Sequence, residues 1–147
     1  MQLGIFAKTF DGTDPRVVFA AAARAGFSSV QYNMACSGLA SMPDAISAET
    51  ARDVAKAARS QDMGIAAVSG TYNMIHPDKA VRVKGLARLE VLAARCHDMG
   101  TRMITLCTGT RDPHDQWRHH RDNGSKEAWR DLLEAMRSDA ELPLTTL

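Results

Sequence analysis

The chain has 147 residues, of which 45% are hydrophobic and 24% are charged, as in an ordinary globular protein. Its 18 basic and 17 acidic residues give a formal charge of +1, which leaves no basic footprint for binding a nucleic-acid backbone. The three cysteines, Cys36, Cys96 and Cys107, are too few and too widely spaced for a disulfide framework or a zinc ribbon. These numbers predict a soluble, cytoplasmic protein with reduced thiols and no nucleic-acid partner.

The N-terminus carries no targeting signal that we recognise. Residues 1–5 lack basic side chains and a long apolar stretch, so no signal peptide is expected. The most apolar stretch, residues 17–23, is far too short to span a bilayer. We therefore expect no membrane partner.

Short apolar runs alternate with longer segments of helical periodicity along the chain. Residues 3–7 form the first run. Asp14 followed by Pro15 then predicts a helix start, because a carboxylate caps free amides and proline fits the first helical position. Gly26 ends this helix, and residues 27–32 predict the second strand.

The same strand–helix unit recurs three more times. The predicted N-caps of the later helices are Ser47, Asp78 and Ser125. The later predicted strands are residues 65–68 and 103–106. On the last helix, the spacing predicts a buried face made of Trp129, Leu132, Leu133 and Met136.

Regular alternation predicts parallel strands joined by right-handed crossovers, with helices covering the sheet. The helix ends at residues 58–64 and 94–100 are near copies, 36 residues apart. Repetition of one unit, without a dinucleotide-binding glycine motif, favours a barrel over a doubly wound sheet. The predicted fold class is α/β, of the (βα) TIM-barrel type, with four βα units forming a half barrel and helices outside.

The chain supplies only half of such a barrel. A closed barrel of eight units takes about 250 residues. After Glu141 only six residues remain, and Pro143 among them opposes both helix and central strand. We expect residues 1–138 to be the N-terminal half of a barrel, and residues 139–147 to be an atypical tail such as a frameshift or premature stop would leave.

Three segments at predicted strand ends contain recognisable motifs. They are residues 5–10, 69–78 and 106–113, and the sequence Trp-Arg-His-His follows at 117–120. Together they resemble the sugar phosphate isomerase/epimerase family, whose fold is a xylose-isomerase-like TIM barrel. The resemblance covers residues 1 to about 138. It implies an enzyme that moves a proton next to the carbonyl of a small sugar or sugar phosphate.

The resemblance also implies a divalent metal (Mn, Mg or Zn) that orients the substrate oxygens, with carboxylates as acid and base. The implied ligands (glutamate, aspartate, histidine and glutamate) belong to later strands, and none of the four predicted strand ends here carries a glutamate. Without a metal the chemistry lacks its electrophile. We therefore expect no metal bound by this chain alone, and no isomerase activity.

Three alternatives remain open. A half barrel exposes two sheet edges, so the chain could form a homodimer that acts as a binding or scaffold protein without catalysis. It could also be an unstable remnant without function. DNA repair endonucleases share the same superfamily, but the near-zero charge and missing metal carboxylates argue against that activity.

Active sites of parallel barrels lie at the carboxyl ends of the strands. This rule selects the candidate substrate-binding residues Lys8, Tyr32, Asn33, Tyr72, Asn73, His76, Thr108 and Trp117. Lys8 could hold a phosphate or carboxylate group, or simply be solvated. Tyr72 and Asn73 could bond sugar hydroxyls, although Tyr72 could instead close the barrel mouth.

Two of these candidates, His76 and Trp117, lie in the loops after the third and fourth strands. The resemblance implies that His76 lines the pocket, and a loop histidine without a role is the alternative. Trp117 could form an apolar wall against a sugar skeleton or anchor its own loop. Residues 112–122 contain three histidines and three aspartates, but interleaved arginines favour a solvated loop over a metal site.

Overall fold

The structure, a computed structural model, describes residues 2–140. The predicted atypical tail, residues 139–147, lies almost wholly outside the described residues and stays a prediction. No helix within residues 2–140 is both long and apolar enough to cross a lipid bilayer.

Four parallel strands form one sheet in the order β1-β2-β3-β4. The strands are β1 (Gly4–Phe6), β2 (Ser29–Tyr32), β3 (Gly64–Ser69) and β4 (Ile104–Thr105). Each strand is followed by a helix, so sequence order and spatial order coincide, as crossovers of one hand require. The predicted α/β class, with four parallel βα units of the half-TIM-barrel type, is confirmed.

Four α-helices follow the strands in turn. They are α1 (Pro15–Arg24), α2 (Ala48–Ser60), α3 (Lys79–Cys96) and α4 (Lys126–Ala140). Short 3₁₀ turns occupy Ala7–Thr9, Met34–Ser37 and Arg121–Gly124. Every predicted N-cap accepts a hydrogen bond from a backbone amide of the first turn, at distances of 2.8–3.1 Å; these caps are Asp14, Ser47, Asp78 and Ser125.

The core lies between the helices and one face of the sheet. Val30, Tyr32 and Val68 point from the strands into this core and are fully buried. The ring of Phe19 on α1 stacks on that of Tyr32, with centroids 5.5 Å apart and planes within 4°. The inner face of α2 completes this core with Ala51, Val54, Ala55 and Ala58, all of which are buried.

The buried face predicted for α4 is wrong at two of its four positions, since Leu132 and Leu133 are partly buried whereas Trp129 and Met136 are not. Trp129 is 62% exposed and Met136 is 53% exposed, while Ala128 and Asp131 are the buried positions. Leu132 and Ala135 pack against the core from the same side. Asp131 occupies a buried position on this face because its carboxylate pairs with the buried guanidinium groups of Arg82 and Arg111. The spacing of apolar residues along a helix gives no information about ion pairs with other segments.

The opposite face of the sheet carries polar side chains. Phe6 pairs with Gln31 across β1 and β2, and Ser69 pairs with Thr105 across β3 and β4. Paired residues of parallel strands share a face, and successive residues alternate between faces. Gln31 Nε2 donates to Thr105 Oγ1 at 2.7 Å, across the intervening strand β3. We call this side, with Phe6, Gln31, Ser69 and Thr105, the helix-free face.

Candidate functional site

An open cleft of about 540 Å³ lies where the helix-free face meets the carboxyl ends of the strands. It is lined by Phe6, Lys8, Gln31, Asn33, Ser41, Ser69, Thr71, Gln116 and Trp117. The position is the one that parallel barrels use for their active sites. Of the predicted candidates, the structure brings Lys8, Asn33 and Trp117 together here.

Three polar side chains form what we call the cleft floor: Gln31, Asn33 and Ser69. Asn33 and Ser69 are each only 3% exposed. Asn33 Oδ1 accepts from the Ala35 amide at 3.0 Å and caps the turn Met34–Ser37, which leaves its Nδ2 group without a partner among the described residues. The Ser69 hydroxyl likewise has no partner in that part of the chain. The Nε2 group of Gln31 donates to Thr105, whereas its carbonyl oxygen accepts no hydrogen bond from the described residues.

Buried polar groups are normally paired, so these atoms are a departure that calls for a ligand or ordered water. Leaving a buried donor unpaired costs about 1–3 kcal/mol. A ligand hydroxyl can both donate and accept, and it could satisfy an amide, a hydroxyl and a carbonyl oxygen in turn. The floor therefore suits a polyhydroxylated molecule.

The rim of the cleft adds one charge and one aromatic surface. Lys8 is exposed in the turn Ala7–Thr9, and no ion-pair partner for it exists among the described residues. Trp117 is 68% exposed and faces the cleft beside Gln116. An ammonium group attracts an anion, and an indole ring packs against a carbon skeleton.

The model of the xylose isomerase-like TIM barrel family matches residues 19–142, which is most of the chain. The chain belongs to this family. No curated protein matches the sequence significantly. The xylose isomerase-like assignment agrees with the resemblance found in the strand-end motifs and with the parallel sheet of the half barrel.

In this xylose isomerase-like chain, Tyr32 does not reach the cleft. It lies on the opposite face of the sheet from Gln31, its neighbour, because side chains alternate along a strand. Its hydroxyl bonds to Ser37 Oγ at 2.7 Å, and burial raises the pKa of its phenol. Tyr32 is a core residue, and substrate contact would require it to leave the core.

Tyr72 also packs away from the cleft. It is 6% exposed and lies over Gly85 of α3, where a β-carbon would overlap its ring. Thr108 is exposed, forms no side-chain hydrogen bond within the described residues, and does not line the cleft. The structure therefore does not bring either residue to the site.

Asn73 joins the loop after β3 to the loop after β4. Its Nδ2 group donates to the Thr110 carbonyl at 2.8 Å, and its Oδ1 atom accepts from the Thr110 amide at 2.9 Å. The neighbouring Gly109 has a φ of 79°, and a side chain there would overlap the amide of Asn73. Both polar atoms of the Asn73 side chain are thus engaged in holding the loop.

His76 makes a second link between the same loops. Its Nδ1 atom accepts from the Asp78 amide at 3.0 Å. Its Nε2 atom lies 3.3 Å from the Pro113 carbonyl and donates to it, since Nδ1 is the acceptor. Asn73 and His76 thus both bond to the loop after β4, which carries Gln116 and Trp117. His76 therefore contributes to the cleft by positioning this loop.

The residues present do not fit the divalent metal that the resemblance implied. Such ions take oxygen ligands that include carboxylates, or imidazole nitrogens. Among the described residues, no carboxylate and no imidazole lines the cleft. Within that part of the chain, no three His, Cys, Asp or Glu side chains gather to hold an ion. The cleft residues therefore do not form a site for such an ion.

Several ligand-type side chains of the segment 112–122, namely those of Asp112, Asp115 and His120, accept hydrogen bonds from nearby backbone amides. Asp112 Oδ1 accepts from the amides of His114 and Asp115 at 2.9 and 3.0 Å. These two bonds hold the pKa of Asp112 below its usual range. The carboxylate shapes its own turn.

None of the cysteines has the environment of a nucleophile. Burial raises the pKa of the thiols of Cys36 and Cys107, and that of Cys96 to about 11. Reactive cysteines need a lowered pKa, because the thiolate is the attacking form. The thiols are therefore packing groups.

Sequence reasoning missed six cleft residues: Phe6, Gln31, Ser41, Ser69, Thr71 and Gln116. The alternation of side chains along a strand could have identified two of them, Gln31 and Ser69. Val30 and Tyr32 are apolar and flank Gln31, and Ser69 follows Val68, so alternation would have put Gln31 and Ser69 on the face away from the core. Ser41 and Gln116 lie in loops, where the sequence offers no such rule.

Proposed function

We propose that this chain provides the substrate-binding wall of a sugar isomerase or epimerase site, and that its ligand is a small sugar or sugar phosphate. The observation that carries the proposal is the pair of unpartnered, buried polar groups at the cleft floor, Ser69 Oγ and Asn33 Nδ2. Membership in the xylose isomerase-like family supports the choice of ligand class. Each group would recover its lost hydrogen bond from a sugar hydroxyl.

The proposed roles divide between the floor and the rim. The floor binds and orients hydroxyl groups, Lys8 neutralises a phosphate, and Trp117 covers the carbon skeleton. Proton transfer next to a carbonyl needs a positioned base within hydrogen-bond reach. Since no described residue lining the cleft is a carboxylate or histidine, we propose that the chain alone binds its substrate but does not turn it over.

The binding proposal is tested by titrating the ¹⁵N-labelled chain with a ketose while recording amide chemical shifts. Shifts should concentrate at Gln31, Asn33 and Ser69. Ser69→Ala should weaken binding about tenfold, the effect of one hydrogen bond. Thr108→Val, an exposed change off the cleft, is the matched control. Unchanged affinity in Ser69→Ala would reject the proposal.

The absence of turnover is tested separately. Purified chain is incubated with ketoses and aldoses in the presence of manganese or magnesium, and we expect no interconversion above the uncatalysed rate. Measurable turnover would show that the chain holds its own catalytic groups.

A second candidate function is a homodimer that acts as a binding or scaffold protein. It is favoured by apolar side chains exposed beside both edge strands: Leu3 and Phe6 near β1, and Met103 and Leu106 near β4. Within the described residues, β1 and β4 each have one unpaired edge. Two copies could pair β1 with β4 of the partner, in parallel, at both seams. Light scattering tests this, and a clean monomer at micromolar concentration rejects it.

We also propose a cytoplasmic location, without a nucleic-acid partner. The formal charge of +1 supports this, because nucleic-acid binding depends on phosphate contacts by excess basic residues.

A further inference from the structure

We infer that the cleft binds its ligand without a metal: the uncharged end of a polyol rests on the floor, and an anionic group, where present, lies at Lys8. This inference rests on the proposed function, and it specifies how the ligand is oriented and held.

The floor is electrically neutral. Its free groups are the Asn33 Nδ2 donor, the Ser69 hydroxyl and the Gln31 carbonyl oxygen. An anion on the floor would face the Gln31 oxygen, and a cation would face the Asn33 amide hydrogens. Both arrangements are unfavourable on a floor where Asn33 and Ser69 are nearly inaccessible to water and Gln31 is partly buried. An uncharged hydroxyl or carbonyl oxygen meets neither penalty.

The Gln31 side chain is oriented before any ligand arrives. The 2.7 Å bond from its Nε2 group to Thr105 Oγ1 crosses β3 and directs the donor end of the amide toward β4. Asn33 is fixed in the same way, because its Oδ1 atom caps a turn. Preorganised groups lose little entropy on binding, so the floor needs no ion to align the ligand.

Charge enters only at the rim. Among the described residues that line the cleft, Lys8 is the one charged side chain. It would therefore discriminate a phosphate ester from the parent sugar, and this discrimination should weaken with salt because the lysine is exposed. Binding of the sugar itself should not depend on salt.

Calorimetric titration of the purified full chain tests the inference. The ligands are a ketose and its terminal phosphate ester, each measured in EDTA and again in millimolar manganese. We expect affinities that agree within about twofold between the two conditions. Tightening of about tenfold or more by manganese would overturn the metal-free inference while the proposed function stands. Absence of binding in both conditions would overturn the proposed function, and the inference with it.

Variants of Lys8 test the orientation. Lys8→Met should weaken binding of the phosphate ester about tenfold and leave the parent sugar within about twofold, as loss of one charge-assisted contact predicts. Lys126→Met, a change at an exposed lysine outside the cleft, is the matched control. Equal effects of Lys8→Met on both ligands, or none on either, would overturn the assignment of the anion to Lys8.

Discussion

The side chain of Asp131 shows how one buried carboxylate can organise three segments. Its Oδ2 atom lies 2.9 Å from a terminal nitrogen of Arg111 and 3.4 Å from one of Arg82. The three side chains belong to α4, the loop after β4, and α3, and all are mostly buried. Two buried guanidinium groups share this carboxylate, and the exposed Arg130 lies 3.8 Å from its other oxygen, so removing the carboxylate would leave two buried positive charges close together.

We predict that Asp131→Asn lowers the free energy of unfolding by about 3 kcal/mol, the usual effect of breaking a buried ion pair. Urea unfolding followed by circular dichroism measures the change. Glu134→Gln is the matched control, because Glu134 pairs with Lys79 between the same two helices but in exposed positions. That variant should change stability by no more than about 0.5 kcal/mol. Similar losses in both variants would contradict the special role of Asp131.

Asn73 offers a second test at the same scale. Asn73→Asp retains an acceptor for the Thr110 amide but places an oxygen against the Thr110 carbonyl, so we expect a loss of about 2 kcal/mol. Hydrogen exchange at the Thr110 amide should accelerate more than exchange in α2. The control is Thr108→Asp, an exposed change in the same loop. Unchanged exchange at Thr110 would mean that the loop is held by other contacts.

Helix starts and helix faces differ in how far sequence can predict them. Asp14, Ser47, Asp78 and Ser125 all cap helices as predicted, because a cap involves only the residue and the next turn. The buried face predicted for α4 was wrong at Trp129 and Met136, because the position of this face also depends on arginines outside the helix. Successive residues are about 100° apart around a helix. Burial of Ala128 in place of the predicted Trp129 therefore shifts the centre of the buried face by about that angle.

Packing between α3 and the loop after β3 gives a test at the scale of elements. Alanine normally improves a helix over glycine by about 1 kcal/mol. At Gly85 the new β-carbon would overlap the Tyr72 ring, so we predict that Gly85→Ala destabilises the protein by about 2 kcal/mol, as overpacking does. Thermal unfolding shows whether Gly85→Ala raises or lowers the stability of the protein.

The double-mutant cycle isolates the cause of that loss. In a Tyr72→Ala background the overlap is gone, and Gly85→Ala should then be neutral or stabilising. A loss of the same size in both backgrounds would place the strain elsewhere than the Tyr72 ring.

For the whole molecule, the buried thiols predict how stability depends on alkaline pH. Burial raises the pKa of Cys96 from about 9 to about 11 in the folded chain, and shifts Cys36 and Cys107 in the same direction. Above pH 9 the unfolded chain loses thiol protons that the folded chain retains, so deprotonation favours unfolding. The contribution of the protonated Cys96 thiol to the free energy of unfolding is therefore complete below about pH 9, and it is lost as the pH rises to about 11.

Urea midpoints measured between pH 8 and pH 11 check this dependence, and we expect them to fall across the range. Cys96→Ala should reduce the slope, whatever it does to stability at pH 8. A slope unchanged by this substitution would show that other groups dominate the alkaline loss.

The half barrel was predictable in outline, whereas the site was predictable only in part. Repeated caps, the helix-ending Gly26 and apolar runs are local signals, and they yielded four strand–helix units in the right order. Of the residues selected by the rule that barrel sites lie at strand ends, Lys8, Asn33 and Trp117 line the cleft. The rule could not separate Gln31 from Tyr32, because neighbouring residues at one strand end point to opposite faces.

Local sequence was thus sufficient for the elements, their parallel arrangement and the end of the sheet where a ligand would bind, since capping and periodicity act within a few residues. Only the tertiary structure decided which side chains serve that site. Asn73 meets Thr110, 37 residues away, and Arg111 meets Asp131, 20 residues away. Such partners are brought together by the folding of the sheet and its helices, and a polar residue already paired in this way is not available to a ligand.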